Sequence, residues 1–137
     1  MKKNKTILIL VIVFFLTLAV ISHAYFFYTI LDIEEFPMML LVGNKIGIDV
    51  GVDMIRFGRV QPGGGSSRIF YLTNDYDFPI VVKMSTSGIL ANYVSLSANN
   101  FVLAPLEKKE VSISAGVPKD MAYGNYTGKL KVVLKRE

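Results

Sequence analysis

The residues able to act as catalytic bases are few and badly placed. The only histidine, His23, lies inside an uncharged run of 25 residues, Ile7–Leu31, away from the serines of the polar part of the chain. A Ser-His triad needs its base within hydrogen-bond reach of the nucleophile, so none can form there. A Ser-Lys dyad that uses Lys83 is the one nucleophilic arrangement left, and no motif marks it. We therefore expect a protein that is not an enzyme.

Ligand-binding motifs are equally sparse. Gly63–Arg68 is rich in glycine, but a phosphate-binding loop needs Gly-Lys-Ser/Thr leading into a helix, and a strand pattern follows here. We interpret it as a flexible loop between strands. Asn74, Asp75 and Asp77 are a weak calcium candidate, since Ca²⁺ takes about six to eight oxygen ligands and this cluster offers few. A polar turn is the favoured interpretation, and we expect no cofactor.

Two features of the C-terminal region each allow two interpretations. Asn125-Tyr126-Thr127 is an N-x-Thr sequon, which on an exported domain either carries a glycan or only shapes the turn before the last strand. Lys129, Lys131 and Lys135 lie on one face of the final strand. They are interpreted either as a guard against pairing of an edge strand, or as a basic stripe that meets an acidic polymer or a lipid headgroup.

Charge and cysteine content exclude further classes. The chain has 15 Lys and Arg and 11 Asp and Glu, but three of the lysines precede the apolar run, which leaves 12 basic and 11 acidic residues after it. A nucleic-acid binder concentrates its cations in the folded part, so we expect no nucleic-acid partner. The absence of cysteine removes disulfides and thiolate metal sites, so packing alone must stabilise the domain.

The apolar run is long enough to cross a bilayer, which takes roughly 20 helical residues. Lysines precede it and Asp32, Glu34 and Glu35 follow it, so the positive-inside rule keeps the N-terminus in the cytoplasm and exports the rest. We predict a single-pass protein of the plasma membrane. Its predicted segments are a cytoplasmic basic segment (1–5), a signal-anchor helix (6–31), a membrane-proximal segment or first strand (32–44) and a β-sandwich (45–137).

A cleaved signal peptide is the rival interpretation of this leader. Ser22-His23-Ala24 fits the small-x-small pattern that signal peptidase accepts, with cleavage after Ala24. The aromatic residues Tyr25–Tyr28 extend the apolar run beyond that position and suit a membrane interface, which favours the anchor.

Beyond the leader the sequence reads as a series of strands. Lys45–Asp53 alternates apolar and polar residues, the period of a half-buried strand, and the same alternation recurs around Val82, Ile113 and Val132. Turn residues separate these segments at short intervals. No stretch sustains a helical period. Phe36–Val42 fits either a first strand or an apolar collar at the membrane. We predict an all-β, antiparallel, immunoglobulin-like sandwich of seven or eight strands after the helix.

Several short motifs carry a resemblance to a known class. Phe57-Gly58-Arg-Val60 before the turn Pro62-Gly63, then Leu72-Thr-Asn74, Phe101-x-Leu103-x-Pro105 and Gly124-x-Tyr126-x-Gly128 follow one another in that order. Together they resemble the ASH/MSP-type immunoglobulin-like β-sandwich domains of membrane-anchored prokaryotic surface proteins. The resemblance implies an archaeal source and a binding or scaffolding role, and it names no ligand.

The function that follows is a membrane-tethered, extracytoplasmic binding or structural module of the cell envelope. Its expected partners are membrane lipid, through the N-terminal helix, and an envelope or surface protein. One alternative is a surface-filament subunit that is cleaved at Ala24 and donates its new N-terminal segment as a strand to a neighbour. Another is a stator-like component of an archaeal surface filament.

Overall fold

The computed structural model describes residues 2–42 and 54–137, with one helix, eight strands and a short 3₁₀ helix in those ranges. The predicted strand Lys45–Asp53 lies outside the described residues. The elements, in chain order, are α1 (Lys2–Thr29), β1 (Ile30–Val42), β2 (Ile55–Val60), β3 (Gly65–Thr73), β4 (Ile80–Ser87), the 3₁₀ helix (Ile89–Tyr93), β5 (Val94–Leu96), β6 (Phe101–Leu103), β7 (Lys108–Gly116) and β8 (Gly124–Arg136).

The helix α1 is apolar on every side. It is long and apolar enough to cross a membrane by length and composition, and its side chains from Asn4 to Tyr28 are exposed. A helix that is apolar all round has no polar face for water, so it needs an apolar surrounding. It ends at Thr29, and β1 begins at the next residue, with no linker between helix and sheet.

The strands form two sheets packed as a sandwich. The larger sheet has the order β2-β1-β8-β4-β6 and the smaller one β3-β7-β5. All the described pairs are antiparallel except β1 with β2, which run parallel. The predicted class of an all-β sandwich after one apolar helix is confirmed, with this parallel pair as the departure from the expected antiparallel pattern.

The strand β1 lies inside the larger sheet. It pairs with β8 along nearly its whole length, from Ile30 opposite Lys135 to Val42 opposite Gly124, and with β2 over Met38–Val42. The segment Phe36–Val42, for which sequence left two interpretations, is therefore the second half of a strand in the sheet.

The buried core consists of the apolar residues that the alternation in the sequence predicts to face inward. Val82, Ile113 and Val132 are each at most 2% exposed, and their neighbours in sequence point to the outer faces. Apolar side chains of both sheets make up one core. The 3₁₀ helix, which the sequence did not predict, contributes the fully buried Leu90 to that core.

Candidate functional site

The strand β8 is an interior strand, and this changes the meaning of its lysines. It pairs with β1 on one side and with β4 on the other. An edge strand has one side unpaired, and charged side chains are one device that keeps it from pairing with another chain. The edge-protection interpretation of Lys129, Lys131 and Lys135 is therefore wrong.

These lysines instead lie in the middle of one open face. Leu130 and Val132 are buried in the core, so the residues between and beside them project outward. Lys83 on β4 projects from the same face, because Val82 and Met84 on either side of it are buried. Lys83 is opposite Val133, between Lys131 and Lys135 on the neighbouring strand.

Arg59 extends this face across β1. It is exposed and lies opposite Leu41, which alternates with the buried Leu40 and Val42 and so projects outward. Glu35, opposite Lys131, is the acidic member. We define the basic face by six of these outward charged residues: Glu35, Arg59, Lys83, Lys129, Lys131 and Lys135.

One of the five cations on this face is paired. The Nζ of Lys129 lies 3.2 Å from Oε2 of Glu35, and the two side chains are 61% and 48% exposed. Such an exposed pair contributes about 1 kcal/mol or less to stability. No ion pair involves Arg59, Lys83, Lys131 or Lys135 within the described ranges. Their charge is available to a partner.

A shallow groove lies at one end of the basic face. It has a volume of about 480 Å³ and runs between Ser87–Ile89 and Thr127–Lys129, beside Pro37. It opens where β4 stops at Ser87 while β8 continues to Gly124. Ile89 on its wall is 65% exposed. The groove therefore adds an apolar surface next to the Lys129 end of the basic face.

The geometry around Asn74 is that of a structural clamp. Its side chain is fully buried, and its Nδ2 donates to the carbonyl oxygens of Phe78, Leu103 and Ala104 at 2.9–3.1 Å. Its Oδ1 accepts the backbone N–H of Tyr76 at 3.0 Å. These bonds join the β3–β4 loop to the β6–β7 loop.

The other two members of the calcium candidate point elsewhere. Asp75 and Asp77 are exposed, and the described residues contain no group of three His, Cys, Asp or Glu side chains that could hold a metal ion. Calcium binding by Asn74, Asp75 and Asp77 remains a prediction, which isothermal titration with Ca²⁺ can test.

The remaining sequence candidates are spread over the molecule. His23 lies within α1, 4.8 Å from the Phe27 ring, and Ala24 follows it in the same helix. Gly63 forms the β2–β3 turn with φ +82° and donates its N–H to Val117 O. Asn125 is exposed at the start of β8. The structure does not bring these residues together.

The outer face of the smaller sheet carries features that the sequence analysis missed. Tyr71 is 57% exposed and donates its hydroxyl hydrogen to Glu110 at 3.0 Å. That hydrogen bond and the carboxylate charge raise the pKa of Tyr71 above its usual value. Further along the same strand pair, Ser67 and Ser114 hydrogen-bond to each other at 2.8 Å. Alternation in Gly65–Thr73 could have indicated this face.

Comparisons with known proteins found a similarity to two solved structures. No family model matches the chain, and no curated protein does. The chain is similar to the DraE adhesin, solved in complex with chloramphenicol succinate, with 14% identity and a TM-score of 0.45 over 77% of this chain and 97% of the adhesin. It is similar to the DaaE adhesin with 14% identity and a TM-score of 0.42, over 73% and 93% of the two chains. With 14% identity and TM-scores of 0.45 or less, the binding properties of these adhesins cannot be transferred to this chain.

Proposed function

We propose that the protein is a membrane-tethered, extracytoplasmic, non-catalytic binding module of the cell envelope. The observation that carries this proposal is the junction at Thr29 and Ile30, where an apolar helix with no covered face continues directly into an interior strand of the sandwich. Water solvates such a helix poorly, whereas a bilayer accommodates it. A domain joined without a linker stays at the membrane surface.

The charges on either side of the helix support an outward-facing domain. Lys2, Lys3 and Lys5 lie at its N-terminal end, and Asp32, Glu34 and Glu35 follow its C-terminal end. Cytoplasmic flanks are enriched in Lys and Arg, so the N-terminus is placed in the cytoplasm and the sandwich outside. The resemblance to ASH/MSP-type domains of prokaryotic surface proteins agrees with this topology, and a stator-like role would be a special case of it.

The position of β1 favours a tethered module over a strand-donating filament subunit. Donation in trans would take the segment after Ala24, which includes β1, out of its own sheet. In the described chain β1 already fills that place, hydrogen-bonded to both β2 and β8. Exchange would have to break these pairings first.

The decisive experiment determines both the N-terminal residue and the cellular location of the native protein. We expect N-terminal sequencing of protein from its own membranes to start at Met1 or Lys2. We also expect the protein to stay in the membrane pellet after alkaline carbonate washing. A membrane-impermeant amine reagent applied to intact cells should label the sandwich lysines and spare Lys2, Lys3 and Lys5. A mature chain that starts at Tyr25 and is recovered in the medium would refute the tether.

A further inference from the structure

We propose that the basic face binds a linear anionic polymer of the cell envelope, an inference that rests on the extracytoplasmic location proposed above. The first ground is charge. Five cations and one carboxylate share this face, and Glu35 pairs with Lys129 alone. The net charge of the face is strongly positive, although the part of the chain after the leader is nearly balanced.

The second ground is the spacing of the cations. Alternate residues of a strand are about 6.8 Å apart, so Lys129 and Lys131 form one step and Lys135 follows two steps later. Lys83 lies on the adjacent strand, about 4.8 Å to the side, between Lys131 and Lys135. This line of positive charge, roughly 20 Å long, matches an extended chain that carries repeated negative groups better than a single small ion.

The third ground is the shape of the site. The backbone groups of β8 are paired on both sides from Lys129 to Lys135, so a peptide cannot add there as a further strand. The groove near Lys129 is shallow. Side chains must therefore make the contacts, as they do when lysines meet a polymer of phosphate, sulfate or carboxylate groups.

The orientation of the face distinguishes a polymer from the lipid headgroups. Lys135 lies opposite Ile30, at the helix end of the sheet, and Lys129 lies about 20 Å further along β8. The exposed helix does not fold back along the sheet. A bilayer at the helix end would meet the loops around Asp75, Asp77 and Glu107, whose carboxylates repel anionic headgroups. Lys129, six residues further along β8 than Lys135, is the cation of this strand that lies furthest from such a surface.

The test uses the full-length chain in phosphatidylcholine nanodiscs, with fluorescent dextran sulfate and polygalacturonate as probes and neutral dextran as the control polymer. We expect both polyanions to bind and neutral dextran not to bind. The triple variant K83Q/K131Q/K135Q should bind about a hundredfold more weakly, since each of the three lysines near an anionic surface is worth roughly fivefold in affinity. Binding should also weaken as salt rises.

Two matched variants separate a binding face from a general charge effect. K108Q/K109Q/K119Q removes the same charge from other surfaces and should change the affinity by less than about twofold, provided that its unfolding midpoint is unchanged. E35Q releases Lys129 from its carboxylate and should tighten binding, an effect that a merely structural role would not produce.

Several results would overturn the proposal. These are the absence of polyanion binding by the native chain, an equal loss in both triple variants, or weaker binding by E35Q. Preferential binding to phosphatidylglycerol vesicles, or to an acidic protein with no polymer binding, would assign the face to another partner. Each result is independent of the tether, because retention in native membranes is measured separately.

Discussion

At the scale of single residues, Asn74 has a structural role, because its buried side chain holds two loops together. All of its side-chain hydrogen-bonding groups are engaged within the fold, and they tie together two loops at the helix end of the sandwich. Buried polar groups cost little when they are fully paired and much when a partner is removed. The residue type is therefore fixed by the surrounding carbonyl oxygens.

We expect Asn74→Ala to lower the free energy of unfolding by about 2–4 kcal/mol, because it leaves three carbonyl oxygens without their donor. Urea unfolding followed by circular dichroism measures this loss. The control, Asn125→Ala, changes an exposed asparagine of the sequon and should lie within about 0.5 kcal/mol of the native protein. Equal effects of the two substitutions would contradict the clamp.

Asn74→Asp adds a test by pH. A carboxylate at this position would face the carbonyl oxygens of Phe78, Leu103 and Ala104, so its neutral form is favoured in the folded state and its pKa is raised. Stability is then retained below the unfolded pKa of about 3.9 and lost as the pH rises through the folded pKa. We expect the deficit relative to the native protein to be larger at neutral pH than in acid. A constant deficit would be inconsistent with a buried carboxylate there.

Gly128 is required by a close approach of two chain segments. A Cβ at this position would lie 2.7 Å from Ser87 O, 3.1 Å from Leu90 Cβ and 3.2 Å from Met38 Cε. We expect Gly128→Ala to destabilise the domain by about 1–3 kcal/mol, since backbone or core atoms must move. Gly116→Ala, where nothing lies within 4 Å, is the control and should be nearly neutral. Thermal unfolding of both variants checks the difference.

At the scale of elements, the sequence period predicts which face of a strand is buried but not which strands are neighbours. Alternation around Val82, Ile113 and Val132 identifies the inner faces correctly, because burial on one side is local information. Strand order depends on packing across the whole chain. For this reason the sequence alone cannot distinguish an edge strand from an interior one at Lys129, Lys131 and Lys135, and it does not indicate that Lys83 and Glu35 lie beside them.

The segment Phe36–Val42 was ambiguous for a related reason. A half-buried strand alternates, whereas Met38–Val42 is apolar throughout. Its inner residues are fully buried, and Met39 and Leu41 are still partly covered on the outer face. Because both faces of Met38–Val42 are apolar, its sequence has no period that could distinguish a strand from a membrane collar.

The interior position of β1 leads to a prediction about the smallest folded unit. A chain of residues 45–137 lacks β1, and with it the buried side chains of Met38, Leu40 and Val42. Each is worth roughly 1.5–3 kcal/mol in apolar burial, against a total domain stability of about 5–15 kcal/mol. We expect this chain to show no cooperative unfolding in urea.

The matched control is a chain of residues 30–137, which keeps β1 and loses only the helix. It should give a β-sheet spectrum and one cooperative transition. A synthetic peptide of residues 30–42 should restore a transition to the shorter chain in a concentration-dependent manner. Cooperative unfolding of residues 45–137 without the peptide would show that β1 is dispensable.

At the scale of the whole molecule, the helix and the sandwich are joined by packing as well as by the chain. The guanidinium of Arg136 lies 3.8 Å from the centre of the Phe78 ring and 5.2 Å from that of Tyr28. Tyr28 belongs to the end of α1, and Phe78 to a loop of the sandwich that also stacks on Tyr76. Because this cation contacts an aromatic ring of each part, we expect it to limit how the sandwich tilts relative to α1, and thereby the direction in which the basic face points.

We expect Arg136→Gln to loosen this joint. The loss of the cation–π contacts should cost about 1 kcal/mol of stability and broaden the distribution of distances between the helix and the sandwich. Spin labels at Thr17 and Ser85, measured by double electron–electron resonance in nanodiscs, report that distribution. Arg59→Gln, which removes the same charge from the basic face, is the control and should leave the width unchanged. If the two variants give the same distribution, Arg136 does not hold the helix, and the basic face is free to turn towards the membrane.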